Sequence, residues 1–256
     1  GIFLEGPFFT EKYKGAQNPE YMSNPSMEKL KSWNEISGNI VNKIAISPEH
    51  EGTSEFIKEA VDLGVYVALA HSDATYEQAK EAVKNGASIF VHTYNAMSPL
   101  HHRNPGMVGA SLTTDTFNEV ICDGHHVHPG AVEVILRAKS PDKTVLITDC
   151  MMAGGMEDGN YKLGEFDVKV ENGTARLSSG ALASSILSLY QAVKNVYEWG
   201  LVSKLEAVKM ASLIPAKSVG IDDKIGSISI GKCADINILD DDLNVLEVFI
   251  DGEKKF

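Results

Sequence analysis

The chain contains 256 residues, of which 43% are hydrophobic and 23% are charged, a composition typical of a folded globular protein rather than a disordered or fibrous one. Its formal net charge of −12 argues against nucleic acid or an anionic membrane as a partner, because both carry negative charge themselves. A chain of this length can bury a large core and could form one barrel or two ordinary domains.

Short apolar runs rich in β-branched residues recur through the first part of the chain, and a polar residue follows each of them. They occupy residues 2–4, 43–46, 65–70, 88–91, 119–122 and 144–148. Such runs are too short for helices and are typical of strands buried on both faces. Helical patterns lie between them, for example from Ser54 to Leu63 with Ser54 as N-cap, and from Thr75 to Lys84 with Asn85-Gly86 after the end.

The alternation of strands and helices predicts a parallel sheet, and six consecutive units of about 20–40 residues favour a (β/α)8 TIM-type barrel. Only six strands are visible, and the first begins at residue 2. We therefore expect an N-terminally truncated piece of a longer protein, in which the barrel lacks its first two strands. An open doubly wound sheet is the alternative, but that fold usually binds its ligand at one switch point, whereas here polar residues follow nearly every strand.

The pattern changes after residue 149. Residues 161–177 alternate around the turn dipeptide Asn172-Gly173, which predicts a β-hairpin inserted at about 160–178. Helical patterns follow at about 182–199 and 204–212, and Pro215 could open a third, short helix. The tail at 225–256 is again of β type. We therefore predict a barrel domain at 1–220 and part of a small β-domain at 225–256.

Neither a membrane segment nor a disulfide framework is indicated. No apolar run approaches the roughly 20 residues that span a bilayer, and the first residues lack the features of a signal peptide. Cys122, Cys150 and Cys233 lie far apart in the sequence, which favours free thiols in a reducing cytoplasm. Cys150 is expected to be a small buried residue rather than a metal ligand.

Four of the predicted strands end in residues that can bind a metal or move a proton, namely Glu5, His71, His92 and Asp149. The carboxyl ends of barrel strands converge on one mouth, where active sites are built. His71 and His92 follow successive strands and should lie at the same height. A histidine at a strand end is more often structural, but two matched histidines and a carboxylate fit a catalytic zinc or iron site.

Short motifs occur in a fixed order along essentially the whole chain: LEGPF at 4–8, KGAQNP at 14–19, AHSDAT at 70–75, VHTYNAM at 91–97, RNPG at 103–106, DGHHV at 123–127 and ITD at 147–149. Together they resemble the N-acetylglucosamine-6-phosphate deacetylases of the amidohydrolase superfamily. LEGPF and HTYNAM are quite specific to that family. The segment GSISIGKCAD at 226–235 resembles many amidohydrolases and supports the superfamily only.

The resemblance implies a metal-dependent hydrolase that removes the acetyl group from N-acetyl-D-glucosamine 6-phosphate in amino-sugar catabolism. In that family pattern Glu5, His71 and His92 bind the divalent metal, zinc or iron(II), and Asp149 is the general base and then the general acid. Whether one or two ions bind is open, because a further His-x-His pair would lie on a strand that is missing here.

The resemblance also implies the residues that bind the substrate. Arg103 would hold the sugar phosphate through bidentate hydrogen bonds and would reach the neighbouring subunit's site, which implies a homodimer. The other expected substrate-binding residues are Ala16, Gln17, Asn95, Ala96, His126, Leu182, Ala183 and Ser184. Ser184 stands where many relatives have glycine, so its side chain could narrow the pocket or alter the backbone.

Two other functions stay open at this point. Another amidohydrolase, similar to dihydroorotase or to an N-acyl-amino-acid deacylase, would share the metal site, although Arg103 and the run Asn95-Ala96-Met97 argue against it. A non-catalytic sugar-phosphate binder would have no need of the complete set of ligands and proton carrier that this chain retains.

Overall fold

The computed structural model describes residues 1–256 and contains a six-stranded parallel sheet whose spatial order follows the chain. Its strands are β1 (Ile2–Glu5), β2 (Val41–Ile46), β3 (Tyr66–Leu69), β4 (Ile89–Phe90), β5 (Phe117–Ile121) and β6 (Thr144–Ile147). Each strand pairs with the next because a helix returns the chain to the same end of the sheet. The predicted strand positions and parallel order are confirmed.

The sheet is curled into a half-barrel, as contacts between non-adjacent strands demonstrate. Ile44 and Ile46 of β2 pack with the helical residue Phe56 on the outer face, so Lys43 points to the inner face. There the Lys43 Nζ lies 2.5 Å from Glu119 Oε1 of β5. Strands β2 and β5 are separated by two others, and their side chains meet only because the sheet bends. The prediction of a truncated TIM-type barrel with six parallel strands is confirmed.

The helices between these strands are α1 (Met27–Ile36), α2 (Thr53–Asp62), α3 (Tyr76–Lys84), α4 (Gly106–Thr113) and α5 (Pro129–Lys139). The predicted start of α3 is confirmed, because Thr75 and Gln78 form a reciprocal capping box. The predicted N-cap of α2 is wrong. Gly52, with φ of 77°, precedes the helix, and Ser54 lies in its first turn.

A three-stranded antiparallel sheet follows the half-barrel, formed by β7 (Gly159–Leu163), β8 (Phe166–Glu171) and β9 (Thr174–Leu177). Asn172 and Gly173 both have positive φ, 52° and 76°, as the predicted two-residue turn requires. A second turn, at Gly164 and Glu165, was not predicted from the sequence. Because of this turn, the segment forms three strands rather than the two of a single hairpin. The tip of this second turn lies beside the candidate site.

The remaining elements are α6 (Leu189–Glu198), α7 (Lys204–Met210), α8 (Leu213–Ser218), β10 (Ile236–Leu239), β11 (Val245–Ile250) and β12 (Glu253–Lys254). The predicted helix at 182–199 begins too early, because residues near 182–185 pair with β9 and with the end of β6, and Ser188 caps the helix. The division into domains at 1–220 and 225–256 stays a prediction. None of the helices is long and apolar enough to cross a membrane.

Candidate metal centre and surrounding cavity

Glu5, His71 and His92 meet at the carboxyl end of the half-barrel. The Nε2 atoms of His71 and His92 lie 3.1 Å apart. Glu5 Oε1 lies 3.1 Å from the first of these nitrogens and 3.3 Å from the second. Both histidines are buried, and the Glu5 side chain is 27% exposed. The three predicted ligands are therefore brought together in the arrangement that a single cation could share.

Each imidazole makes a hydrogen bond through the nitrogen that faces away from the candidate metal centre. These bonds indicate that the other nitrogen, which faces the centre, carries a lone pair. His71 Nδ1 lies 2.9 Å from the Tyr13 carbonyl, and His92 Nδ1 lies 3.2 Å from the Asn95 carbonyl. A carbonyl only accepts, so each Nδ1 must donate its proton there. In the neutral tautomer both Nε2 atoms then present lone pairs to each other and to a carboxylate. Three acceptors in contact need a cation between them, which is the chemistry of a metal site.

The charges within the cluster favour a cation beside the Glu5 carboxylate, either a metal ion or a proton. Burial raises the pKa of Glu5, but hydrogen bonds from His71 and His92 outweigh burial and hold that pKa well below its usual range. Burial lowers the pKa of His92, yet the bond to Glu5 and its charge raise it overall. Without a metal, a proton on Nε2 would balance the carboxylate. A divalent ion and a proton would therefore compete for the same position.

Three of the predicted site residues have unusual backbone conformations. The φ angles of His71, His92 and Asp149 are 46°, 33° and 47°, in the left-handed region that residues with a Cβ rarely adopt. The surrounding structure holds them there; the His71 carbonyl, for example, accepts hydrogen bonds from Ser47 Oγ at 2.7 Å and Thr10 N at 3.1 Å. Such strain tends to cluster at functional sites.

Asp149 lies beyond the end of β6 and lines the same cavity as the three predicted ligands. Burial is the main influence that raises the pKa of its carboxyl, and the negative charge of Glu5 adds to it, while the nearby histidines oppose both. The carboxylate makes no hydrogen bond within the protein, which leaves it free to exchange a proton with a bound molecule. The neighbouring Cys150 is exposed, so the prediction that it is buried is wrong.

His126 is oriented by a second carboxylate. Its Nδ1 lies 2.6 Å from Asp123 Oδ2, and the backbone N–H groups of His125 and His126 donate to Asp123 Oδ1, each at 2.8 Å. Burial raises the pKa of Asp123, but these hydrogen bonds lower it overall. With Nδ1 bound to Asp123, His126 presents Nε2 to the cavity.

One cavity of about 520 Å³ contains the centre. Of the predicted site residues it is lined by Glu5, Ala16, Gln17, His71, His92, Asn95, Ala96, His126, Asp149, Leu182 and Ser184. Ala183 does not line it, because its side chain is fully buried with Val168 and Val170 of β8. Arg103 lies on an exposed loop outside its own chain's cavity, where its Nη1 is 2.7 Å from His102 Nε2.

The cavity has an outer wall that no sequence motif indicated. The tip of the β7–β8 turn, residues 163–166, reaches the segment after β1. Glu165 accepts hydrogen bonds from Asn18 Nδ2 at 2.9 Å and from Tyr21 Oη at 3.0 Å. The only local signal was Gly164, whose φ is 57°. One carboxylate thus joins two distant segments in the wall of the cavity.

We expect Glu165→Ala to loosen this wall. Loss of the two hydrogen bonds should speed amide hydrogen exchange in residues 15–21 and 160–166 by roughly 5-fold, since a hydrogen bond of this kind contributes about 1 kcal/mol. Hydrogen-exchange mass spectrometry measures both segments. Asp167→Ala, on the same sheet but paired with Lys162, is the control. Equal effects of the two substitutions on residues 15–21 would show that Glu165 does not join the segments.

Comparisons with known proteins agree with this architecture. A family model described as "Amidohydrolase family" matches residues 1–255. An N-acetylglucosamine-6-phosphate deacetylase of Vibrio furnissii is 44% identical over 100% of the chain. An N-acetylgalactosamine-6-phosphate deacetylase of Escherichia coli O157:H7 is 42% identical over 99% of it. The chain spans 64% of the length of the first relative and 67% of the second.

Solved structures give the same result. The crystal structure of N-acetylglucosamine-6-phosphate deacetylase from Pasteurella multocida matches with a TM-score of 0.93 and 35% identity, over 100% of this chain and 67% of the other. A mutant of the Mycobacterium smegmatis enzyme, in complex with N-acetyl-D-glucosamine-6-phosphate, matches with a TM-score of 0.94 and 32% identity, over 99% and 68%. The resemblance inferred from the motifs is confirmed.

Proposed function

This chain belongs to the amidohydrolase family, and on that premise we propose that its protein removes the acetyl group from N-acetyl-D-glucosamine 6-phosphate, giving D-glucosamine 6-phosphate and acetate. One observation carries the proposal. Three metal-binding atoms whose lone pairs face a common point lie in the same cavity as an unpaired carboxylate whose pKa is raised. Amide hydrolysis needs both an activated water and a group that moves its proton.

Glu5, His71 and His92 would hold one divalent ion, and two imidazoles with a carboxylate suit zinc and iron(II) alike. When bound, such an ion lowers the pKa of a water molecule toward about 7 and polarises the carbonyl that is attacked. The Tyr13 and Asn95 carbonyls keep each imidazole in the tautomer that can bind it.

Asp149 is the proposed proton carrier. It accepts the proton that the attacking water loses and then gives it to the amide nitrogen, which must be protonated before it leaves as an amine. A raised pKa suits this exchange, because the carboxyl must hold the proton between the two steps. His126, oriented by Asp123, is positioned to donate or accept at Nε2, and Gln17 and Asn95 offer amide groups to the sugar.

Arg103 is proposed to bind the 6-phosphate of a substrate in the neighbouring subunit of a homodimer. Its guanidinium can form two parallel hydrogen bonds with a phosphate, and it lies on an exposed loop that can extend toward another chain. Sugar phosphates and free cysteines are both typical of the cytoplasm, which is the proposed location.

We expect Arg103→Ala to raise KM for the phosphorylated sugar by roughly 10- to 100-fold, the loss of one or two charge-assisted hydrogen bonds. KM for N-acetylglucosamine without the phosphate should change little, because it lacks the dianion. Steady-state kinetics on both substrates measures the difference. Arg137→Ala, at an exposed arginine that pairs only with Glu133, is the matched control. Equal changes for both sugars would exclude phosphate binding by Arg103.

Subunit mixing tests whether Arg103 acts across an interface. In a dimer of one Arg103→Ala chain and one Asp149→Asn chain, one site would receive both intact residues and the other neither. If Arg103 acts in trans, random reassociation of the two variants should restore about one quarter of wild-type activity, measured at a substrate concentration low enough that Arg103→Ala alone has little activity. Absence of any restoration would place Arg103 in its own chain's site.

An acetate-release assay on the metal-loaded full-length protein tests the function itself. N-acetylgalactosamine 6-phosphate belongs in the same assay as a second candidate, because a relative of nearly equal identity is named for it. Dihydroorotate and N-acetylated amino acids represent the other amidohydrolase activities. Release of acetate from neither sugar phosphate, with metal bound, would overturn the proposal. Hydrolysis of one of these other substrates would then indicate another amidohydrolase, and hydrolysis of none would leave a binding protein.

A further inference from the structure

Ser184 lies at the wall of the cavity that contains the candidate metal centre, in the segment between β9 and α6. Its φ is 63°, a left-handed conformation that costs a serine free energy relative to glycine. The same conformation directs the Oγ atom to the backbone carbonyl of Asp149, to which the hydroxyl donates a hydrogen bond. A strained residue is thus in direct contact with the backbone of the proposed proton carrier.

The backbone around Asp149 is held by two consecutive serines. The Asp149 carbonyl also accepts the N–H of Ser185 at 2.8 Å. The Ser185 hydroxyl donates to the carbonyl of Thr148. These bonds fix the direction of two successive carbonyls just beyond the end of β6, and with them the direction in which the Asp149 Cα–Cβ bond points.

The carboxylate of Asp149 has no hydrogen bond of its own within the protein, so its position depends on its backbone. Asp149 is itself in the left-handed region, with φ of 47°, and would relax toward ordinary conformations if its carbonyl were released. Proton transfer is sensitive to such a change, because a displacement of about 1 Å can lower a rate by roughly 100-fold.

We propose that Ser184 is a positioning residue, whose hydroxyl holds Asp149 in the conformation needed for proton transfer. The role rests on the proposed function of Asp149 and deepens it. The side chain of Ser184 therefore has two roles. The β-carbon forms part of the cavity wall, while the hydroxyl acts through the Asp149 backbone.

Two substitutions separate these contributions. Ser184→Ala keeps the β-carbon and removes the hydroxyl, and Ser184→Gly removes both while accepting positive φ without strain. Ser184→Ala should lower kcat by about 10- to 100-fold, with KM and metal content within about 2-fold of wild type. Ser184→Gly, the residue of many relatives, should keep more of the wild-type kcat, because glycine adopts this conformation without help from a hydroxyl. The control is Ser179→Ala, at an exposed serine of the same segment.

A second measurement does not depend on activity. In metal-loaded protein without substrate, the amide of Ser185 should exchange roughly 5-fold faster in Ser184→Ala, because the shared acceptor at Asp149 is less firmly held. If wild type releases no acetate but exchange accelerates as expected, the positioning role holds and the proposed function fails. Wild-type kcat and exchange in Ser184→Ala would overturn the role, as would a change in KM alone.

Discussion

Replacement of His71 or His92 by alanine should remove most of the divalent metal from the full-length protein and abolish its proposed hydrolytic activity. Each imidazole supplies one of three lone pairs that meet within about 3 Å. Loss of a direct ligand should weaken metal affinity by more than the roughly 10- to 100-fold typical of losing a residue that only supports a ligand. Elemental analysis after dialysis against a weak chelator measures the loss.

His125→Ala is the matched control, because His125 is an exposed histidine close to the site whose side chain is not among the ligands. It should retain wild-type metal content and activity. Full metal occupancy in both the His71 and His92 variants would overturn the ligand assignment.

Metal content should also fall as the pH is lowered. Glu5 raises the pKa of His92, so in the metal-free site a proton occupies Nε2 up to a higher pH than for an ordinary histidine. Protonation and metal binding exclude each other at that nitrogen. Apparent metal affinity, measured by titration between pH 5 and 8, should therefore rise with pH and level off above the raised pKa. A flat dependence would contradict competition at the histidines.

Replacement of Asp149 by asparagine should leave the metal bound and lower kcat by about 10²–10⁴-fold, the range typical of losing general acid–base catalysis. Asparagine keeps the size of the side chain but cannot take a proton. KM should change far less, because the lost interaction belongs to the transition state. Acetate release and metal content are measured on the same samples. Near-normal kcat with metal bound would show that Asp149 does not carry the proton.

The same substitution should stabilise the metal-free protein at neutral pH. Burial and the charge of Glu5 raise the pKa of Asp149, so the folded state binds its proton more tightly than the unfolded state. The free energy of unfolding therefore decreases as pH rises from the ordinary aspartate pKa through the raised one. Asparagine lacks this penalty, and its Tm at pH 7 with chelator should exceed that of wild type. Asp167→Asn, at an exposed position, should leave Tm nearly unchanged.

Much of the half-barrel was predictable because its signals are local. The buried strands were recognised from continuous β-branched runs, since a parallel strand covered on both faces must be apolar along its whole length. The start of α3 followed from Thr75 and Gln78, which satisfy each other's backbone groups within one turn. His71 and His92 could be placed together because equivalent positions in successive β/α units lie at the same end of the sheet.

Local signals also misled where a distant segment supplied the hydrogen bonds. The apolar stretch from 182 suggested a helix, but Ala183 N donates to the Ala175 carbonyl of β9 and Ser185 N to that of Asp149. Once those backbone groups were paired in this way, the helix could begin only after Ser188. The start of α2 was misassigned because Gly52 reaches positive φ and needs no side-chain cap.

The sequence by itself determined the parallel strands, the acid and the two histidines at their ends, and the family whose motifs carry them. Only the tertiary structure decided which lone pairs face one another, how Asp149 is held, and what closes the cavity. Glu165 meets Tyr21 across 144 residues of sequence, and Ser184 meets Asp149 across 35. The physical reason is that strand and helix signals arise between near neighbours. Such contacts, in contrast, exist only after the sheet has curled and its loops have packed over one end.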